Sequence, residues 1–317
     1  MNQIMKITCP LSSSTNLNLI EEVATKDLNK KYQKMLSADI SEEFGQTEKI
    51  GLYHCLDSDL RFFYPSITAS ESFYEKLQKF DWYYLDEKEE YNYASQYIKS
   101  SHSVLEIGSG KGAFAQKIAS QNYVGLEFSQ TAMELAKQNK ITILNQSIQQ
   151  HSVNFPETYD IVCAFQVLEH IGDIASFIEA SLKCLKPGGL LIYSIPSADS
   201  FISLAKNNIL NMPPHHVTWW SDKSLEYIGQ KYNLKIIELH HEKLSDIHKR
   251  WYASTLASIS LYELLNISKG NMLIEKRLIH KILSKLASLI GRMLVLGLKD
   301  DRVLPCGHSV TSVYQKL

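Results

Sequence analysis

Cysteine is sparse: five in 317 residues, an odd number, scattered at positions 9, 55, 163, 184 and 306. That pattern excludes a disulfide framework and fits reduced thiols, so a cytoplasmic compartment is expected. Positive charge is not in excess, with 33 Lys and Arg against 34 Asp and Glu. Such a chain has little to hold a phosphate backbone, and no nucleic-acid partner is expected. No apolar run reaches the ~18–20 residues that a membrane-spanning helix needs. The basic and then apolar segments of a signal peptide are missing from the N-terminus, and none is expected. Glycine is few as well, 14 in all, yet three of them crowd into residues 108–112. What remains is 44% hydrophobic, enough for one large domain with additions or two small ones.

The chain is organised around Ser103-Val104-Leu105-Glu106-Ile107-Gly108-Ser109-Gly110-Lys111-Gly112-Ala113-Phe114. Residues 104–107 read as a buried strand, the glycines as a turn, and 113–119 as a helix. Strand, glycine turn and helix bring backbone N–H groups close to an anionic group at a helix N-terminus. Gly108, Gly110 and Ala113 also satisfy the dinucleotide pattern G-x-G-x-x-G/A, with Glu127 near the spacing of a ribose-binding acid. Glu106 tips the balance. A carboxylate at the strand end repels a pyrophosphate but suits a ligand that carries an ammonium group and a sulfonium.

The wording Val104-Leu105-Glu106-Ile107-Gly108-Ser109-Gly110-Lys111-Gly112 resembles motif I of the class I S-adenosylmethionine-dependent methyltransferases. Four further landmarks follow in order. Tyr123-Val124-Gly125-Leu126-Glu127 reads as a second strand with an acid at its tip, where ligands of open α/β sheets bind. The resemblance gives Glu127 the ribose hydroxyls, as charge-assisted hydrogen bonds, and Phe128 beside it is a further candidate cofactor contact. Tyr159-Asp160-Ile161-Val162-Cys163-Ala164-Phe165 and the following Gln166-Val167-Leu168-Glu169-His170-Ile171 resemble the central strand and its turn. Backbone at Phe165 and Gln166 is then expected at the methionine end of the cofactor. Leu185-Lys186-Pro187-Gly188-Gly189 reads as a helix stop and turn before a strand over 190–195. Residues 308–316 read as the closing antiparallel strand.

Smaller elements fill the intervals. Ser129 is a plausible N-cap for a helix over 129–139, and 141–144 is a third strand. The acid that the family often carries just after that strand, near adenine, is replaced by Asn145-Gln146-Ser147-Ile148. Adenine contacts are left to backbone, Ser147 or Gln146. In the resembling family the segment before motif I covers the cofactor. Here that segment holds Tyr83, Tyr84 and Tyr91, whose rings suit a sulfonium and whose hydroxyls suit a carboxylate or a sugar. Tyr93 and Tyr97, four apart, fit the buried face of a helix.

Met212-Pro213-Pro214-His215-His216-Val217-Thr218-Trp219-Trp220-Ser221 lies after the fifth strand, on the substrate edge. His215 or His216 is a candidate base, since an imidazole of near-neutral pKa is well matched to taking an acceptor's proton. His170 is a further candidate, although the Glu–His step in the family more often holds the site together. Trp219 or Trp220 either stacks on an acceptor or packs beneath the site. With no acidic partner adjacent, no metal is assigned to the His pair.

Residues 1–80 read as a small N-terminal cap. Cys9-Pro10-Leu11-Ser12 and Cys55-Leu56-Asp57-Ser58, followed by Leu60-Arg61-Phe62-Phe63-Tyr64-Pro65, resemble a zinc-binding module of some bacterial members, with Ser at both second positions. Ser is a poor zinc ligand, and His54 is the one nearby substitute. Residues 17–37 have helical composition.

Residues 81–317 form the catalytic domain, with a strand over 234–240 and a helical insertion over about 241–304. Residues 251–267 and 272–298 read as helices. Leu273, Ile274, Leu278, Ile282, Leu286, Leu289, Ile290, Met293 and Leu296 mark an apolar stripe flanked by Lys276, Arg277, Lys281, Lys285 and Arg292. Such a stripe packs on its own domain, on a second subunit, or on a membrane surface.

The expected architecture is α/β, a doubly wound Rossmann-like methyltransferase core with a cap and an insertion. S-adenosylmethionine is the cofactor, Glu106, Gly108, Ser109, Gly110 and Gly112 are its loop contacts, and a small molecule or sugar is the acceptor. Two rivals stand beside this reading: a nicotinamide- or flavin-dependent oxidoreductase, and a non-catalytic cofactor-binding subunit.

Overall fold

A computed structural model describes residues 6–77, 80, 87–205, 207–268, 273–298 and 304–317. The N-terminal part contains β1 (Leu17–Ala24), α1 (Thr25–Leu36), the single turn α2 (Ser41–Phe44), β2 (Lys49–Cys55), β3 (Arg61–Tyr64) and α3 (Glu71–Leu77). The central part runs α4 (Glu89–Ser95), β4 (Ser103–Ile107), β5 (Asn122–Leu126), α5 (Gln130–Gln138), β6 (Ile143–Leu144), α6 (Ile148–Asn154), β7 (Tyr159–Phe165), α7 (Ile174–Cys184) and β8 (Leu185–Pro196). It continues with β9 (Thr218–Trp219), α8 (Asp222–Lys231), β10 (Leu234–Lys243), α9 (Asp246–Leu264), α10 (Leu278–Leu294) and β11 (Cys306–Lys316).

Seven strands form one sheet in the order β10-β11-β8-β7-β4-β5-β6. β4 to β8 run parallel, and β11 inserts antiparallel between β8 and β10. Both faces are covered, and the period of two along each strand sorts side chains between them. Leu105 and Ile107 join a core with Phe177 and Ile178 of α7 and Leu225 and Ile228 of α8. Val104 faces the other side, with Tyr91 and Ala94 of α4, Phe114 and Ile118. The register pairs Ile107 with Leu126 and with Ala164, so β4, β5 and β7 end on one edge, where the glycine loop emerges.

Several local readings change. Residues 17–24 are a strand rather than helix, because they pair antiparallel with β2 from Leu17↔Cys55 to Ala24↔Lys49. The helix expected over 113–119 is one 3-10 turn at Phe114–Gln116. Phe114 and Ile118 are both buried there, and the chain must enter β5 by Asn122, which leaves no room for more turns. β8 already starts at Leu185, and its pairing with β7 jumps from Tyr159↔Leu185 to Ile161↔Leu190, with Gly188 at φ 77° inside the bulge.

Of the stripe expected over 272–298, Leu273 and Ile274 precede the helix and are buried in the core of the N-terminal part with Tyr32, Phe73 and Trp219. The cap expected over residues 1–80 is tied into the rest of the chain. Its sheet, β1-β2-β3-β9, takes its last strand from residues 218–219, after β8.

α9 and α10 pack as an antiparallel pair through Gly291, where an added Cβ would lie 2.3 Å from Ser254 Oγ and 2.7 Å from its Cα. Overpacking of that kind costs about 1–3 kcal/mol. Gly291→Val should therefore lower the melting temperature clearly. Gly297→Ala should not, because nothing lies within 4 Å of its added methyl group. Equal melting temperatures for wild type and Gly291→Val would contradict this packing.

Candidate functional site

One cavity of about 1290 Å³ opens over the C-terminal edge of the sheet. It exceeds the ~300–1,000 Å³ of a site for a single small ligand, so it has room for two molecules side by side. One end is walled by the glycine loop and β5, the other by residues 165–171, the 208–216 loop, α3 and the first turn of α9.

Gly108, Ser109, Gly110, Glu127, Phe128, Ser147, Phe165, Gln166 and Tyr91 all line the cavity. Gly108 has φ 71°, and a Cβ there would meet Val167 Cγ2 at 2.5 Å, so only glycine lets the loop pass this close to the turn after β7. Phe165 packs edge-on to Tyr91, and Gln166 holds φ 57° while donating from Nε2 to Ser309 Oγ at 3.0 Å. A non-glycine residue in the left-handed region at a strand tip is strained backbone of the kind found at ligand sites. Ser147 caps α6 in a reciprocal box with Gln150, which fixes its hydroxyl at the cavity wall.

Three expectations at this end need correction. The loop does not present bare amides. Gly108 and Ser109 N–H both donate to Leu126 O, at 2.8 and 3.0 Å, and Gly112 N–H donates to Ser109 O. Gly110 N–H donates to Glu127 Oε2 at 2.9 Å. The loop thus offers proximity rather than an anion cradle. Glu106 and Gly112 are not part of the cavity wall. Glu106 shares the Val104 face of β4, is fully buried, and accepts a hydrogen bond from the Tyr123 hydroxyl, while a Cβ on Gly112 would meet Ile141 Cδ1 at 2.7 Å. Burial pushes the Glu106 carboxyl up to about 8. Tyr83 and Tyr84 lie outside the described residues. Tyr93 and Tyr97 are away from the cavity, with Tyr93 stacked on His240.

Glu127 does hold the strand tip, and more tightly than its spacing suggested. Its Oε1 accepts from Phe128 and Ser129 N–H at 2.8 and 2.9 Å, while Oε2 accepts from Gly110. A carboxylate offers about four acceptor sites, so one stays open toward the cavity.

The second end gathers residues that are distant in the chain. His170, His215 and His216 come together with ring centroids 4.5–4.9 Å apart. The N-terminal part places them: Tyr32 of α1 donates to Ile209 O and Met212 O, and the β3–β9 pairing fixes the chain just beyond His216. Glu169, joined to the same loop by Val217 N–H donating to its backbone carbonyl, is buried beside the rings. Neither of its carboxylate oxygens has a hydrogen-bond partner.

Burial lowers His170 to about 4 and His215 to about 3 and carries His216 well below its ordinary value, with His170 opposing charge on both of the others and His215 opposing it on His216. The expectation of a near-neutral imidazole base is therefore corrected. These rings are neutral but weakly basic, because a proton there would be desolvated. Glu169 moves the other way, up to about 8, through the same burial.

The indoles are not stacking platforms. Trp219 packs edge-on to Phe63 and donates to Asn211 O, and Trp220 is fully buried and donates to Thr218 Oγ1. The β3–β9 pairing turns both rings into the core.

Sequence reasoning missed Tyr74, which α3 sets edge-on to His170, and Glu242, His248 and Trp251, which roof the cavity from β10 and α9. Burial raises Glu242 to about 7. Nothing local in the sequence marks these residues, since only the tertiary fold brings them here. The C-x-x-S pairs do converge: Cys9 Sγ lies 3.4 Å from Ser58 Oγ, and Ser12 Oγ 3.3 Å from Cys55 Sγ. His54 is turned to Asp59, at 2.7 Å.

A family model for the methyltransferase domain matches residues 77–239, just over half of the chain. The chain is 33% identical over 99 residues to a ubiquinone biosynthesis O-methyltransferase of Aliivibrio fischeri, covering 29% of this chain and 42% of that protein. It is 26% identical over 123 residues to the protein of the same name from Proteus mirabilis, covering 35% and 50% respectively. The chain thus spans half or less of the length of these curated relatives. Among solved structures, a SAM dependent methyltransferase from Archaeoglobus fulgidus is similar at a TM-score of 0.47 and 13% identity, over 71% of this chain and 90% of that one.

The buried carboxyls set a pH dependence of stability. Glu106 and Glu242 have folded pKa values of about 8 and 7, above the ordinary 4.5, so they favour the fold fully below 4.5 and lose that contribution as pH rises through 7–8. The buried imidazoles, lowered below 6.5, act oppositely but only below 6.5. The melting temperature should therefore fall between pH 6.5 and 8, and Glu106→Gln should flatten that fall. A flat wild-type profile across the window would contradict these assignments.

Proposed function

Because the chain belongs to the methyltransferase-domain family of S-adenosylmethionine-dependent enzymes, we propose that it moves the methyl group of S-adenosylmethionine onto a hydroxylated small molecule of the sugar class, in glycan or specialised-metabolite biosynthesis. The observation that carries this reading is the single cavity that joins the glycine loop and Glu127 at one end to the His–Glu cluster at the other. It is large enough for cofactor and acceptor together. Its walls carry Glu71, Glu75, Glu87, Glu89, Glu90 and Glu127 against Lys88 and Lys111, which suits a sulfonium and an ammonium better than a diphosphate.

The sulfonium is already an activated electrophile. The protein's contribution is to align the acceptor oxygen in line with the S–CH₃ bond and to keep water out. Glu127 takes a ribose hydroxyl at its open acceptor site, Ser147 or Gln146 meets the adenine, and Phe165 and Gln166 border the methyl group. At the far end the weakly basic rings of His170, His215 and His216 orient an acceptor hydroxyl by accepting its hydrogen bond. Beside the Trp251 indole, the roof carries the polar groups of Glu242, His248 and Tyr74, which can hydrogen-bond the hydroxyls of a sugar.

A second surface bears on partners. On α10 Leu278, Ile282, Leu286, Leu289 and Met293 are exposed, while His280, Leu283, Ala287 and Gly291 are buried. Residues 278–298 carry Lys281, Lys285 and Arg292 and no acid. At 100° per residue these three cations fall within about 40° along one border of the stripe. An apolar stripe with a cationic border fits an anionic lipid surface.

S-adenosylhomocysteine should raise the melting temperature and NADH should not. Glu127→Ala should weaken S-adenosylhomocysteine by roughly ten- to a hundredfold, the worth of about 1.5–3 kcal/mol for a hydrogen bond to a charged group. Stabilisation by NADH alone would overturn the reading in favour of an oxidoreductase, and cofactor binding without turnover on any hydroxylated acceptor would favour a binding subunit. For α10, co-sedimentation with phosphatidylglycerol vesicles but not phosphatidylcholine vesicles is expected, and Leu286→Glu should abolish it. Equal recovery with both lipids would rule the surface out.

A further inference from the structure

The three imidazoles at the acceptor end share one feature. His170 Nδ1–H donates to His215 O at 2.5 Å, His215 Nδ1–H to Leu210 O at 2.8 Å, and His216 Nδ1–H to Asn211 Oδ1 at 3.0 Å. A carbonyl oxygen only accepts, so each Nδ1 must carry the proton. Each Nε2 is then a bare lone pair. One ring nitrogen from each residue lies within 4.8 Å of the other two.

Glu169 completes the group. Its Oε1 is 3.9 Å from His170 Nε2 and 4.0 Å from His216 Nε2, too far for a hydrogen bond, and the side chain is 2% exposed. Four acceptors therefore face one another with no donor between them. Both Glu169 oxygens are buried without a hydrogen-bond partner, which is unusual and costly in a native fold. Protonating Glu169 gives one O–H, which cannot serve three nitrogens. A cation at the centre serves all four.

We propose that His170, His215 and His216, through Nε2, and the Glu169 carboxylate bind one divalent transition-metal ion. Three imidazoles and one carboxylate are a donor set of zinc and its first-row neighbours, whereas calcium and magnesium prefer all-oxygen sites. Ligand–metal distances of about 2.0–2.2 Å require the four side chains to draw together by several tenths of an ångström to about 1 Å. Hydrogen bonds from the far ring nitrogen to carbonyl oxygens are the usual outer support of such ligands, because they fix tautomer and orientation. Burial keeps the rings neutral, the form that ligates. Among the described residues this is the one group of three or more His, Cys, Asp or Glu side chains with such spacing.

The cluster lines the cavity, so the ion has a side open to the acceptor. Its role rests on the methyl-transfer reading: an acceptor oxygen bound there becomes more acidic, which the weakly basic imidazoles alone cannot achieve. The binding itself does not depend on that reading.

The test uses the full chain, free of any histidine tag and treated with chelator. Cobalt(II) is titrated by visible absorption and calorimetry, with S-adenosylhomocysteine binding measured separately on the same samples. One cobalt per chain is expected, with ligand-field bands displaced by zinc. His216→Ala and Glu169→Gln should each weaken cobalt at least tenfold while the melting shift with S-adenosylhomocysteine persists. A Cys9→Ser/Cys55→Ser variant should bind cobalt like wild type. If His216→Ala loses its fold, Glu169→Gln decides. No cobalt uptake by the folded wild type, or uptake unchanged in both variants, would overturn the site. Loss of S-adenosylhomocysteine binding in the wild type would instead sink the methyl-transfer reading and leave the metal result standing.

Discussion

The carboxylate of Glu127 holds the two halves of the cofactor end in one place. By accepting from Gly110 across the gap and from Phe128 and Ser129 in its own turn, it fastens the glycine loop to the tip of β5. Such charge-assisted bonds are among the stronger ones available to a backbone. With the Gly108 and Ser109 amides turned to Leu126 O, the loop is a rigid, closely approaching wall. Its chemistry is that of shape and a nearby acid rather than of free donors.

The same fold desolvates the other end. The sheet supplies Glu169 and His170 just beyond β7, and the loop before β9 supplies His215 and His216. The N-terminal part closes over them with Tyr32 and Tyr74, while α9 adds His248 and Trp251. Enclosure has opposite effects on the two kinds of group. It drives the imidazoles toward neutrality and Glu169 toward protonation, which weakens ordinary proton transfer and leaves lone pairs in search of a positive partner. Tyr74 of the N-terminal part and Glu242, His248 and Trp251 of the insertion therefore line the same cavity as the core.

Much of the core was legible because its signals are local. β7 occupies the seven residues read from Tyr159 to Phe165, Ser129 caps its helix through its own side chain, and Glu127 sits where its spacing put it. Period-two alternation and capping chemistry act over a few residues, so a single sequence carries them. The failures are non-local. β1 is mostly exposed and lacks clean alternation, so only its partner β2 makes it a strand. The indoles of Trp219 and Trp220 look like a stacking pair until β3 turns them inward. The histidine pKa values depend on what covers the rings, and residues from other elements, such as Tyr74 and His308, do that. Glu106 reads as a ligand contact because a carboxylate at a strand end suits an ammonium and a sulfonium, but it is buried on the Val104 face of β4, bonded to the Tyr123 hydroxyl.

A crystal structure with S-adenosylhomocysteine bound tests the central claim most directly. The account predicts a ribose hydroxyl within hydrogen-bond distance of Glu127 Oε2, and the sulfur pointing toward Phe165 and the histidine cluster. A nucleoside seated elsewhere in the cavity, with Glu127 still bonded only to the amides of Gly110, Phe128 and Ser129, would contradict it.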